Sequence, residues 1–148
     1  MKARVEETGL HIPRILEVTT SDGKRAIVAE LIKGKTLAQF MQENPYEIEK
    51  YLTIFVDLQL EMHSRFCPGL NELKDKMNCK IRQTELDAAK RYDLHTRLES
   101  MPKHNKVCHG DFNPSNIIIA EPPCILDWSH TAQVNASTDV VRIYLLFC

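Results

Sequence analysis

Read from the amino terminus, the first clear pattern of apolar and polar positions is a pair of short β-rich runs, Arg14 to Val18 and Arg25 to Leu31. The connecting Thr19-Thr20-Ser21-Asp22-Gly23-Lys24 contains an Asp-Gly pair that tolerates positive φ, so the two runs are predicted to fold back as a hairpin. Gly34 breaks the pattern. Thr36 followed three residues later by Gln39 is a capping-box signature and predicts a short helix through about Met41. Asn44-Pro45 restarts the chain: the asparagine is expected to cap, and proline suits the first helical position because its missing N–H would be unpaired there anyway. Ile48, Tyr51, Leu52, Phe55, Leu58 and Met62 then recur at three- and four-residue steps, which predicts a long helix burying one apolar stripe down to about His63.

Pro68-Gly69 stops that helix, and a polar stretch leads to Thr84, which with Asp87 is expected to cap a second, largely exposed helix to about Glu99. Past Met101-Pro102 the pattern changes. Lys106 to His109, Ile117 to Ile119 and Cys124 to Leu126 are short apolar runs separated by a polar loop and a Pro-Pro turn, and they are read as buried strands. Thr138 is expected to cap a last apolar helix. A hairpin, then helices, then a small β cluster, then helix again predicts an α+β domain and not a doubly wound sheet.

Composition narrows the class without changing this outline. With 43% hydrophobic and 26% charged residues among 148, the chain falls in the globular range, and one domain is expected. Nineteen Lys plus Arg against twenty Asp plus Glu leave a net charge of -1. No overall positive field exists to draw nucleic acid or anionic lipid, and neither is expected as a partner. No segment approaches the roughly 20 apolar residues that span a bilayer, and the amino terminus lacks a signal-peptide core, so a cytoplasmic protein without a membrane partner is expected. The five cysteines, Cys67, Cys79, Cys108, Cys124 and Cys148, are scattered and form no C-x-x-C pair, which fits reduced thiols.

The chemistry is concentrated late in the chain. His109-Gly110-Asp111-Phe112-Asn113-Pro114-Ser115-Asn116 lies between two predicted strands, and Ile125-Leu126-Asp127-Trp128 comes after the next. A carboxylate with an amide oxygen is a set of hard ligands of the kind Mg²⁺ prefers, and a further carboxylate on the loop is suited to orient a substrate hydroxyl. A metallohydrolase using His109, Asp111 and Asp127 is a rival reading of the same residues. His11, His95, His104 and His130 show no spacing that would hold zinc.

These residues resemble the H-G-D-x-x-x-x-N catalytic loop and the I-D-W or I-D-F metal motif of aminoglycoside phosphotransferases, choline kinases and their relatives, which share the protein-kinase-like fold. The resemblance implies ATP as phosphoryl donor, Mg²⁺ held by Asn116 and Asp127, and Asp111 as the group that takes or orients the proton of the acceptor hydroxyl. It implies that His109 holds the loop. Ala29-Glu30-Leu31-Ile32-Lys33-Gly34 looks like the family's interlobe hinge, where the carbonyl of Glu30 and the N–H of Ile32 would meet adenine. Met62-His63-Ser64 looks like the segment that closes the long helix. Asp139, twelve residues after Asp127, stands where a supporting aspartate of the catalytic loop is usual, although Asn135-Ala136 replaces the Asp-Pro that commonly precedes it.

The resemblance divides the chain into residues 1–34, the end of an N-lobe with its hinge, and residues 35–148, the core of a helical C-lobe. No Gly-rich phosphate loop and no strand lysine with a partner glutamate precede the hairpin, so the chain is expected to hold the middle of the family pattern and to have little activity alone. The implied acceptor is a small molecule such as an aminoglycoside, choline or ethanolamine, or a sugar. The contrasting expectation is an inactive kinase-like remnant that binds nucleotide or a protein partner. Oligomeric state is not indicated.

Overall fold

The computed structural model describes residues 5–147, so Cys148 lies outside the described residues. β1 (Ile15–Ser21) and β2 (Lys24–Ala29) pair antiparallel, from Ile15 opposite Ala29 to Ser21 opposite Lys24. Only Asp22 and Gly23 connect them, at φ of 51° and 74°. Two successive positive-φ residues give a turn whose twist matches the strands, so the strands run further than the six-residue connection expected. The main chain then continues past Glu30, whose N–H donates to Arg14 O at 2.9 Å.

α1 (Leu37–Glu43) begins with the expected reciprocal cap: the Gln39 N–H donates to the Thr36 hydroxyl while the Thr36 N–H donates to the Gln39 side chain. Asn44 does not cap the long helix. Its amide donates back to Phe40 O, a 3₁₀ turn occupies Pro45–Glu47, and Glu47 is the residue preceding α2 (Ile48–Ser64). The buried side of α2 is Tyr51, Phe55, Gln59, Met62 and His63, whereas Ile48 and Leu52 are exposed. The apolar stripe expected from the sequence is therefore rotated, and two polar side chains replace two apolar ones in the buried arc.

α3 (Leu73–Gln83) was not indicated by the sequence pattern, which read as a polar connection. It carries Leu73, Met77 and Ile81 four residues apart, Asp75 in its first turn and Lys80 and Arg82 in its last, an order that favours the helix dipole. Thr84 closes α3, and the start of α4 (Ala88–Ser100) is capped by Asp87, whose Oδ1 accepts the Lys90 N–H at 2.8 Å.

β3 (Lys106–Cys108), β4 (Ile117–Ile118), β5 (Cys124–Ile125) and β6 (Ala132–Val134) form two antiparallel pairs, β3 with β6 and β4 with β5. β6 is an addition to the three strands expected. α5 (Ser137–Phe147) starts before Thr138, and Asn135 Oδ1 accepts the Ser137 N–H. Phe55 of α2 stacks on Phe112 with ring centroids 4.7 Å apart, and Leu37, Met62, Val107, Ile117, Ile125 and Trp128 complete the core around them. Burying Phe112 alone contributes about 1.5–3 kcal/mol, and it fixes the loop that carries Asp111 against the long helix. Among the described residues the fold is thus mixed α and β, and no helix is long and apolar enough to cross a membrane.

Candidate active site

The β4–β5 pair places two of the proposed site residues at the same end of one short ladder. Ile117 lies opposite Ile125, and one step outward the Leu126 N–H donates to Asn116 O at 2.8 Å. Asn116 therefore precedes one strand as Asp127 follows the other. Asn113 is occupied with local structure: its Oδ1 accepts the Ser115 N–H at 2.9 Å and starts the 3₁₀ turn Pro114–Asn116. Asp127 sits in the left-handed region at φ 53° and ψ 64°, which swings the chain into the 3₁₀ turn Trp128–His130. Hydrogen bonding from Ser129 to the Asp127 side chain holds its carboxyl below the usual range and favours the anion.

Asn116 Nδ2 donates to both the main-chain oxygen of Asp111, at 2.9 Å, and its Oδ2, at 3.2 Å. With the nitrogen so committed, the amide oxygen of Asn116 is the atom left to accept a proton or bind a cation. His109 is fixed at both ring nitrogens. Nδ1 accepts the Asp111 N–H at 3.2 Å, so the ring hydrogen is on Nε2, which donates to Leu126 O at 2.7 Å. Burial pushes its pKa down, and its ring lies edge-on to Trp128 at 4.7 Å. A neutral imidazole with both nitrogens engaged braces the loop and has no free site for proton transfer.

Asp139 supplies the second brace. It is buried in the first turn of α5, and its two oxygens accept the N–H groups of His109, at 2.7 Å, and Gly110, at 2.8 Å. His63 of α2 donates from Nε2 to Asp139 Oδ2 at 3.3 Å. Cys108 completes a buried cluster with His63 and Asp139 whose ligand atoms lie within 4.8 Å of one another. Burial and the neighbouring carboxylate push the Cys108 thiol far above its ordinary pKa, which keeps it protonated. Thiol and imidazole are softer donors than the oxygens a magnesium ion takes, and the carboxylate is already spent on the loop.

Sequence reasoning missed the part played by three further groups. His63 read as a helix-end residue, yet it joins the brace. Lys76 of α3 donates to the carbonyls of His130, at 3.3 Å, and Thr131, at 2.6 Å, holding the segment that leaves Asp127; its partial burial and the nearby Lys80 lower its pKa. Arg142 of α5 brings Nη2 to 3.9 Å from Asp111 Oδ1. Its position one turn after Asp139 was the only signal available.

Glu30 and Ile32 lie on the segment between β2 and α1. The Glu30 carboxylate accepts from the Arg14 main chain and guanidinium, both at 3.3 Å, and this pairing lowers its pKa, so its side chain is occupied. Beyond Ile32, Gly34 crosses β4 so closely that a Cβ would meet Ile118 Cγ2 at 2.7 Å, and Ile119 N donates to Lys35 O at 3.0 Å. The segment at Gly34 and Lys35 is thereby anchored to the strand that directly succeeds Asn116. Lys35 itself pairs with Glu43.

Comparison with curated proteins finds no significant match. The model of the Phosphotransferase enzyme family matches residues 3–148, nearly the whole sequence and all of the centre just described, and the chain belongs to that family.

Proposed function

We propose that this protein transfers the γ-phosphoryl group of ATP to a hydroxyl of a small molecule, with Asp111 accepting or orienting the hydroxyl proton and Asn116 and Asp127 holding Mg²⁺. The observation that carries the reading is the commitment of Asn116 Nδ2 to Asp111, which leaves the amide oxygen of Asn116 at the end of the short ladder that Asp127 follows. That donor set, one neutral and one anionic hard oxygen, fits a magnesium ion that keeps waters and phosphate oxygens as its other ligands. When bound, the ion neutralises charge on the phosphates. The chain's own residues supply position: Asp139 and His109 fix the loop, and Asn116 fixes Asp111.

In this reading the carbonyl of Glu30 and the N–H of Ile32 meet adenine, residues 1–34 act as the end of an N-lobe with its hinge, and residues 35–148 act as the C-lobe core of a kinase-like domain. Phosphoryl transfer asks for alignment and charge neutralisation more than for covalent participation, so a small, rigid centre suffices. Calorimetric titration of ATP into the protein, with and without Mg²⁺, tests the nucleotide site. Saturable binding that needs Mg²⁺ supports the proposal. Binding that is indifferent to Mg²⁺ removes the assignment of Asn116 and Asp127, and no binding by a folded sample removes the nucleotide site from this chain.

A further inference from the structure

Asp111 has two unlike oxygens. Oδ2 receives the Asn116 amide, so the oxygen left for an incoming hydroxyl is Oδ1, and Oδ1 faces Arg142. The arginine is half-exposed, with its guanidinium 3.9 Å from that oxygen, too far for a tight hydrogen bond and close enough to touch whatever docks there. Its position is not accidental to a flexible surface: Asp139, three residues earlier on α5, is locked to the main chain of His109 and Gly110. The same turn of helix thus fixes the loop and aims the cation.

Asp139 and Arg142 are the only charged residues of α5, and Asp139 is buried. An open cleft of about 440 Å³ is lined by Asp111 with Ala38, Met41, Gln42, Asn113, Pro114 and Ser115, and Asp111 is its only carboxylate. An ammonium group arriving with the hydroxyl would meet the guanidinium as a like charge, whereas a carboxylate or phosphate would pair with it in a fork.

We propose that the acceptor is an anionic hydroxyl compound, one bearing a carboxylate or phosphate near the hydroxyl, and that Arg142 binds this oxyanion. The inference rests on the phosphotransferase reading above. In the step it serves, the hydroxyl oxygen bonds to the γ-phosphorus, the bond from that phosphorus to the bridging oxygen breaks with its electron pair going to ADP, and the hydroxyl proton passes to Asp111.

The test has a binding arm and a turnover arm. D-glycerate, glycerol 3-phosphate, glycerol and choline are each titrated into protein saturated with Mg²⁺ and a non-hydrolysable ATP analogue, and ADP formation from Mg·ATP is monitored with the same four compounds. Glycerate and glycerol 3-phosphate are expected to bind better than glycerol and choline, and which of the two binds better tells carboxylate from phosphate. Arg142→Gln should weaken the anionic compounds roughly ten- to hundredfold, leave glycerol and the nucleotide unchanged, and be partly rescued in Arg142→Lys. Arg142→Glu should shift preference toward choline. Tighter binding of choline by the natural protein, absence of anion binding, or an equal loss for all four compounds in Arg142→Gln would overturn the inference. Failure of the folded protein to bind Mg²⁺ and the ATP analogue would sink the phosphotransferase reading and the inference with it, whereas nucleotide binding without Arg142-dependent anion binding would overturn the inference alone.

Discussion

His63 and Asp139, 76 residues apart in sequence, meet in the interior with His63 Nε2 3.3 Å from Asp139 Oδ2. The contact ties α2 to α5 at the point where Asp139 also receives two main-chain N–H groups of the loop bearing Asp111. Both aspartate oxygens are acceptors there, so an amide cannot replace the carboxylate: one of its ends presents N–H to a buried donor. Asp139→Asn is expected to cost about 1–3 kcal/mol of stability, read as a lower urea midpoint at unchanged slope. A change below about 0.5 kcal/mol, the level of an ordinary surface substitution, would show that the brace is unnecessary.

Gly110 carries a second constraint in the same turn. Its φ is 78°, and a Cβ there would lie 2.8 Å from His130 O, whereas at Gly23, at φ 74°, a Cβ would meet nothing within 4 Å. Alanine at Gly23 pays only for the left-handed conformation, about 1–2 kcal/mol. Gly110→Ala incurs that cost and must also push the His130 carbonyl, which Lys76 holds. Thermal melts of the two variants should therefore rank Gly110→Ala clearly below Gly23→Ala. Equal melting temperatures would show that the loop yields without cost.

What could be read from the sequence was the chemistry that is local. Asp22-Gly23 announces a hairpin, though not how tight it is, and Thr36 with Gln39 a capping box, because each acts within four residues. Asp111, Asn116 and Asp127 could be proposed from the sequence because the motifs that carry the family resemblance are local, one loop and one strand end. The rest depends on partners distant in sequence. Ala132–Val134 is too short to announce a strand and becomes one by pairing with Lys106–Cys108. Gln59 and His63 look solvent-facing on a helix until the packing of α2 buries them, the latter against Asp139. Leu73, Met77 and Ile81 are too sparse among charges to outweigh the polar reading of α3. Arg142 gains meaning only from the fold that sets it against Asp111.

Burial of His109 gives stability a definite dependence on pH. The folded-state pKa lies below the ordinary value of 6.5 because burial disfavours the imidazolium, so below that value the unfolded chain binds a proton that the folded chain resists. The contribution is fully present above pH 6.5 and is lost as pH falls from there toward the folded pKa, at up to about 1.4 kcal/mol per pH unit. Urea unfolding at pH 7.5 and 5.5 should show the loss in the natural protein and a smaller loss in His109→Gln, whose amide can still donate toward Leu126 O. Identical losses in both proteins would assign the pH dependence to other groups.

The roles assigned to Asp111 and Asp127 separate by what each removal does to nucleotide. Asp127 is exposed at a left-handed turn, with Ser129 as hydrogen-bonding partner of its carboxylate, the N–H at 3.4 Å. If it holds Mg²⁺, Asp127→Ala removes an anionic ligand and should weaken Mg²⁺-dependent ATP binding by at least about tenfold, the scale of one charged hydrogen-bonding partner. Asp111 instead has its Oδ1 3.9 Å from Arg142 and is proposed to serve the acceptor and not the metal. In a longer, active form of the protein, Asp111→Ala should leave ATP binding within about twofold while lowering phosphoryl transfer by about 10²–10⁴-fold, the range for a lost general base. Calorimetry on both variants, with turnover of any acceptor that proves active, decides the matter: equal weakening of ATP by the two substitutions would mean that both carboxylates face the metal, and unchanged turnover in both would end the assignment of this centre to phosphoryl transfer.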